Sequence, residues 1–360
     1  MTIVGDGEAR TMRAVRVAEL GAIEYGRIDR VTEPTPKPDE VLVDIHAAPV
    51  NYVDLLTLEG RYQFHPELPY TPGKGPAGVV RQVGSNVDGI RAGDRVLAMA
   101  EYGGFAEAVT VDGRQVHHLP ATVGYAEAAT LSVAFDTAWM ALRDRARLAA
   151  GESALVLGAT GAVGGAVIQL ARAMGASTVL AGLVSPERLD SSPFGAMVDG
   201  TVDLGRPRLR DSIREEVFEI TNGRGVDVIV DAVGGDAFDG GVRALAWRGR
   251  FVVVGFASGR IATLGSNYVL LKNIEVCGLQ ISDYRKRMPE LVARAFREVF
   301  EFVASGAVRI PAYQTLPLED WASALHTIKA READRRLVLV PMVSGDRPEA
   351  AAPNVTARPL

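Results

Sequence analysis

The residues of this 360-residue chain best placed to do chemistry are glycines. In "ALVLGATGAVGGAVIQLARAMGA" an apolar run, Ala154 to Leu157, meets the turn "ATGAVG" at residues 159–164. Val163, Val167, Leu170 and Met174 then recur at helical spacing. Strand, turn and helix in that order suit a dinucleotide pyrophosphate. Gly161 and Gly164 remove side chains where backbone must approach a phosphate or a neighbouring strand, and Ala159 takes the place of the first Gly of that fingerprint. The N–H groups and the positive end of the helix, from Thr160 through Ala162 and Val163, would face the anion. A tight strand-to-helix turn with no ligand has the same spacing, so the loop alone leaves both readings open.

The next apolar run bears on which dinucleotide. NAD-binding sites hold the ribose diol with a carboxylate about 20 residues after the loop. Here "STVLAGLVSPER" has no carboxylate in residues 179–185, whereas Ser185 and Arg188 can bond a 2′-phosphate, so NADPH is expected over NADH. Arg188 as a solvated helix residue is the competing reading.

These residues need a scaffold, and the pattern supplies two. After residue 151, apolar runs ("ALVLG", "STVLAGLVS", "VDVIVDAVGG", "RFVVVGFASG", "IEVCGLQ") alternate with helical periods, as strands buried on both faces of a doubly wound parallel sheet do. From residue 12 to about 131, short β-type runs at residues 41–50, 77–84, 94–100 and 105–111 lie between Gly and Pro, and predict an irregular β-rich domain. Helices at about 288–305 and 318–330 and the strand "RLVLVP" are expected to complete that first domain. Residues 1–11 and 346–360 are polar, unpatterned tails.

Composition narrows the function. A net charge of −5 gives no general pull toward nucleic acid or anionic membranes. One cysteine, Cys277, excludes an intrachain disulfide and any Cys-x-x-Cys zinc cluster. No run reaches the ~18 apolar residues of a membrane span, and no export signal opens the chain, so a cytoplasmic location is expected. His46, His65, His117, His118 and His326 show no metal-ligand spacing, and no G-x-S-x-G elbow points to a hydrolase.

The stretch "GESALVLGATGAVGGAVIQLAR", with its closing Gln169 and Arg172, resembles the quinone oxidoreductase signature of the medium-chain dehydrogenase/reductase superfamily, departing from it at Ala162. "APVNYVDLLTLEGRY", "PYTPGKGPAGVV", "AGDRVLAM", "GGFAEAV", "FDTAW", "GRGVDVIVDAVGG" and "LLKNIEVCG" agree, so the resemblance spans residues 12–341. It implies an α/β fold: a Rossmann doubly wound domain at residues 137–282, and a β-rich GroES-like catalytic domain from residues 12–136 and 283–345, with the substrate between them.

Zinc-dependent relatives ligate their metal with a Cys three residues before an Asp, a Gly-His-Glu segment and a third ligand. The matching places hold Asn51 (before Asp54), Lys74 and Gly75, and a charged ammonium has no lone pair to offer a metal. The resemblance thus implies hydride transfer without zinc, to a quinone or an alkene conjugated to a carbonyl. It sets Asn51 beside the nicotinamide and Thr137 near its carboxamide. Val233, Gly255, Phe256 and Ala257 become further cofactor contacts, and Arg336 either reaches phosphate or caps the last strand. Tyr62 matches a tyrosine proposed as proton donor in enoyl thioester reductases; it reads equally as a pocket wall. Asn51 as a loop-satisfying amide and Lys74 as a surface charge are the plainer accounts.

The expectation is therefore a zinc-independent, NADPH-dependent quinone reductase, homodimeric through "NIEVCGLQ". An enoyl thioester or enone reductase, and a crystallin-like NADPH-binding protein without turnover, are the alternatives. A chelator is expected to leave the reductase rate unchanged; a rate lost to chelator and restored by zinc would overturn the metal-free reading.

Overall fold

The computed structural model describes residues 10–341, except residue 186, residues 191–193 and the side chains of residues 188 and 190. A hairpin comes first: β1 (Thr11–Val17) and β2 (Gly26–Thr32) pair along their whole length, from Thr11↔Thr32 to Val17↔Gly26. Thr11 is therefore strand, where the sequence suggested leader; residues 1–9 and 342–360, the rest of the expected tails, lie outside the described residues. Next come β3 (Glu40–Pro49), α1 (Tyr52–Leu58), β4 (Ala77–Val83), β5 (Arg95–Ala98), β6 (Ala108–Asp112) and β7 (Val116–His118), then the helix α2 (Tyr125–Trp139). Val41, Val43 and Ile45 of β3 pack with Val80, Phe105, Leu55 and Leu58 in one buried cluster.

The second part alternates as its apolar runs foretell: β8 (Ser153–Leu157), α3 (Ala162–Ala173), β9 (Thr178–Leu183), α4 (Glu187–Asp190), β10 (Gly200–Asp203), α5 (Leu209–Ile220), β11 (Val226–Asp231), α6 (Gly235–Ala244), β12 (Leu245–Val253), α7 (Ser266–Lys272) and β13 (Glu275–Gly278). The helices α8 (Ile281–Arg287) and α9 (Pro289–Ala304) follow. All six strands run parallel in the order β10-β9-β8-β11-β12-β13. Every residue of β8 and β11 is buried, as strands covered on both faces must be. The chain leaves β8 toward β9 and later returns on its other side as β11. The ends of β8 and β11 thus form the switch point where such sheets bind ligands. The short, half-polar β10 carries no apolar run and escapes the sequence reading.

The last segment, β14 (Tyr313–Pro317), α10 (Trp321–Lys329) and β15 (Arg336–Val340), rejoins the first sheet: β14 pairs parallel to β15, which pairs antiparallel to β3 through Val338↔Pro49 and Leu339↔Ala48.

The chain divides into a β-rich unit, up to Ala129 and from Tyr313 onward, and a Rossmann unit, Thr130–Ala312. These boundaries differ from the expected 136/137 and 282/283, because α8 and α9 belong with the Rossmann unit. Arg285 of α8 forms a fully buried ion pair with Asp136, Nη2 to Oδ2 at 2.8 Å. Trp139 Nε1 donates to Glu298 at 2.7 Å, and the Arg309 N–H donates to the Gln169 side chain at 2.8 Å. These bonds tie α8, α9 and the segment after them to α2 and α3.

The Asp136–Arg285 pair is 0% and 1% exposed, so losing one partner strands a buried charge. Asp136→Ala is expected to lower unfolding free energy by about 3–5 kcal/mol, read by urea denaturation.

Candidate active site

In the Rossmann unit the glycine loop closes on itself. Gly158, at the end of β8, has φ +86°, a backbone state that favours glycine, and its carbonyl accepts from the Gly161 N–H at 3.0 Å. A Cβ on Gly164 would stand 2.2 Å from that same carbonyl, so α3 packs on β8 more closely than any side chain permits. Gly158 thus adds a further glycine one residue before Ala159, which keeps the first place of the G-x-G-x-x-G spacing. Ala159 is fully buried and its N–H is spent on Gly182 O at 3.0 Å, which leaves it nothing for a ligand. The spacing G-x-x-G-x-x-G from residue 158 to 164 held this signal. Thr160, Gly161 and Ala162 are exposed, and no side chain caps α3. The N–H groups of Ala162, Val163 and Gly164 thus open toward an external acceptor. A pyrophosphate fits such a cradle by charge and by space.

Beside it, Asp231 ends β11. Its Oδ1 accepts from the Val233 and Gly234 N–H groups at 2.8 and 2.9 Å, while its buried Oδ2 has no hydrogen-bond partner among the described residues. Burial pushes this carboxyl up to about 6 against the pull of those two N–H groups. Asp231 escaped the sequence reading. Val233 stands over the loop, its Cγ2 3.1 Å from where a Gly158 Cβ would lie. The turn after β12 follows: Gly255 N–H donates to Asp231 O at 3.3 Å, Ala257 N–H to Ala232 O at 3.1 Å, and Phe256 is 40% exposed beside Gly234. Ser185 lies half-buried just past β9; Arg188 falls on α4, and its side chain lies outside the described residues. Thr137 is buried on α2, its hydroxyl donating to Val133 O at 2.6 Å, with the oxygen still able to accept.

The β-rich unit gathers a second set. Asn51 opens α1, and Asp54, three residues on, reaches back to accept the Asn51 N–H at 2.8 Å. The Asn51 amide is held at both ends: Nδ2 donates to Pro49 O at 3.4 Å, and Oδ1 accepts from Arg336 Nη2 at 2.9 Å. Antiparallel pairing of β15 with β3 delivers Arg336 there, with the Val50 N–H on Leu337 O at 2.9 Å. The guanidinium is buried, which lowers its pKa to about 10 against the support of the Asp54 charge. Burial drives Asp54 the other way, up to about 6, opposed by Lys74 and by N–H groups of Asn51 and Gly73.

Lys74 is a correction. The surface charge expected of it is 2% exposed, with Nζ 2.7 Å from Glu101 Oε2 and 2.9 Å from Glu101 O. Nζ lies 4.6 Å from the Tyr102 ring centroid and 5.4 Å from that of Tyr62. Burial, with Glu101 and Tyr62 nearby, pushes the Tyr102 phenol up to about 12. Asn51, Asp54, Tyr62, Lys74 and Arg336 thus form one constellation in this unit, and the glycine loop with Asp231, Val233 and Gly255 a second in the other. Among the described residues, no group of three or more His, Cys, Asp or Glu side chains is placed to hold a metal ion, and no helix is long and apolar enough to cross a membrane.

Residues 37–121 match the alcohol dehydrogenase GroES-like domain family, and residues 162–297 the zinc-binding dehydrogenase family. Quinone oxidoreductase-like protein 2 of Bos taurus is 33% identical over 333 residues, 92% of this chain and 93% of that protein. The quinone oxidoreductase structure of Pseudomonas syringae pv. tomato DC3000 superposes with TM-score 0.83 at 26% identity, covering 92% of this chain and all of that one. A mycocerosic acid synthase-like polyketide synthase of Mycobacterium tuberculosis matches 94% of this chain at 32% identity, over 16% of its own length. The chain belongs to the medium-chain dehydrogenase/reductase superfamily, in its quinone oxidoreductase-like group, a family of oxidoreductases that bind a nicotinamide cofactor.

Asp54 and Asp231 both rise to about 6 from 3.8, so the folded chain holds these protons more tightly than the unfolded one. Their contribution favours the native state at low pH and is lost as pH rises through about 4 to about 6, by about 3 kcal/mol for each group. Asp54→Asn is expected to flatten that slope by its share, measured by urea unfolding across the window; an unchanged slope would count against the buried-carboxyl assignment.

Proposed function

We propose that this chain is an NADPH-dependent reductase that passes two electrons to a quinone, or a similar acceptor conjugated to a carbonyl, without a metal ion. The observation that carries the reading is that one unit holds a dinucleotide cradle at its switch point and the other an amide and an ammonium, Asn51 and Lys74, at the places where zinc-dependent relatives hold ligands. Neither side chain replaces a thiolate or an imidazole at a metal.

The first turn of α3 binds the pyrophosphate through the Ala162, Val163 and Gly164 N–H groups, and the exposed Thr160 and Gly161 border it. Ser185 and Arg188 take the 2′-phosphate, and no carboxylate after β9 competes for the ribose. Thr137, Val233, Gly255, Phe256 and Ala257 line the nicotinamide end. Asn51, which the family resemblance sets beside the nicotinamide, has its amide oriented by Arg336 and Pro49. When bound, the reduced nicotinamide supplies a hydride. Tyr62 serves as an acceptor wall or as a phenol that gives a proton, with solvent able to supply the proton in its place. Arg336, buried and cationic, is also available to phosphate.

An enoyl thioester or enone reductase is the second reading, favoured by the match to a segment of a polyketide synthase. A cytoplasmic homodimer accompanies both. β13 is the edge of the parallel sheet, and the adjoining α7 exposes Leu270 at 76% and Leu271 at 74%, an apolar surface that pairing of two copies would cover.

Fluorescence titration is expected to show NADPH binding ~10- to 100-fold more tightly than NADH, the value of one or two charge-assisted bonds to a phosphate. Equal affinities would refute the cofactor choice. NADPH oxidation by 1,4-benzoquinone supports the first reading and oxidation by crotonyl-CoA the second. Tyr62→Phe is expected to slow enone reduction more than quinone reduction; equal slowing would leave Tyr62 a wall.

A further inference from the structure

Lys74 is built into place. It stands between Gly73 at φ +99° and Gly75 at φ +66°, and a Cβ on Gly73 would sit 2.6 Å from the Phe105 backbone nitrogen, so the loop has one backbone path. Pro72 O accepts from the Phe105 N–H at 2.8 Å, Gly73 O from Gly104 at 3.0 Å, and Ala100 O from Gly75 at 3.1 Å. That path turns the side chain inward. Of its three N–H groups, two are spent on the Glu101 carbonyl and carboxylate; among the described residues no acceptor takes the third, which is left to the faces of Tyr102 and Tyr62. Tyr62, like Tyr102, is half-buried. It rides on the turn after Gly60, φ +70°, between exposed Arg61 and Gln63, and so borders the solvent side of this cluster.

A fixed cation with a spare donor, walled by flat rings and shielded from water, suits an oxygen on which negative charge develops. We propose that Lys74 is a catalytic residue of the reductase, its ammonium stabilising the oxyanion that forms on the acceptor. This rests on the reductase reading given above. As the acceptor gains hydride at the carbon conjugated to its carbonyl, the displaced π pair moves onto the carbonyl oxygen, where Lys74 Nζ–H donates to it. The lysine keeps its proton. A proton from water then completes the two-electron, two-proton reduction. Glu101 positions the ammonium and does not touch the acceptor.

The test uses Lys74→Met, which keeps length and removes charge, Lys74→Arg, which keeps charge, and Glu101→Gln. The first readout needs no cofactor: 4-nitrophenol, a flat phenol whose anion mimics the oxyanion and absorbs visible light, is titrated into each protein at fixed pH. Wild type and Lys74→Arg are expected to bind it as the anion, and Lys74→Met as the neutral phenol. The second is turnover, expected to fall ~100-fold in Lys74→Met, as for loss of one oxyanion donor, with KM less affected and partial recovery in Lys74→Arg. A folded Lys74→Met with wild-type turnover and anion preference overturns the proposal. Wild type binding 4-nitrophenol with no preference for the anion overturns it too, even where Lys74→Met does not fold. If anion preference follows the charge at Lys74 but no quinone or enone is reduced, the oxyanion site stands and the reductase reading fails.

Discussion

The closest approach in the Rossmann unit, Gly164 over the carbonyl of Gly158, governs what surrounds it. Any side chain at residue 164 would lift α3 off β8, and β8 is the strand from which the parallel sheet grows in both directions. Seated there, the helix starts beside the end of β11, where Asp231 gathers the N–H groups of Val233 and Gly234. Backbone donors are thereby fixed before any ligand arrives. Preorganisation of this kind spares binding the cost of ordering a loop.

The β-rich unit answers a different constraint, the expense of charge out of water. Asp54, Lys74, Glu101 and Arg336 are all largely buried, and each is tolerated because a neighbour of opposite sign or a backbone dipole faces it. The arrangement is not neutral pair by pair. The guanidinium of Arg336 bonds an amide, with Asp54 acting on it only through space, and the ammonium of Lys74 keeps one donor unspent. Such partial compensation stores electrostatic potential at fixed points, and a reaction that moves charge can draw on it.

Much of this was legible in the residues. Runs such as "VDVIVD" announce strands buried on both faces, and every residue of β11 is buried. The glycine spacing marked the turn between β8 and α3, although it gave no sign that Gly158, one residue earlier, shares in the close packing. What escaped was long-range. β10 is too short and too polar to show a pattern. The placement of α8 and α9 depends on bonds from Arg285 to Asp136 and from Trp139 to Glu298, 149 and 159 positions apart, which no local window contains. Lys74 looked like a surface charge because lysine usually is one; only the two glycines around it and Glu101, 27 positions on, bury it.

The bond from Arg336 to Asn51 spans 285 positions. Until β15 is in place, the Asn51 amide has no guanidinium to hold it, and β3 lacks that neighbour. The hold on Asn51 thus arises only when two segments far apart in the chain have paired, whereas the glycine loop is closed by bonds between residues close in sequence. A chain cut before residue 336 would keep the residues of the loop and lose the bond that orients that amide.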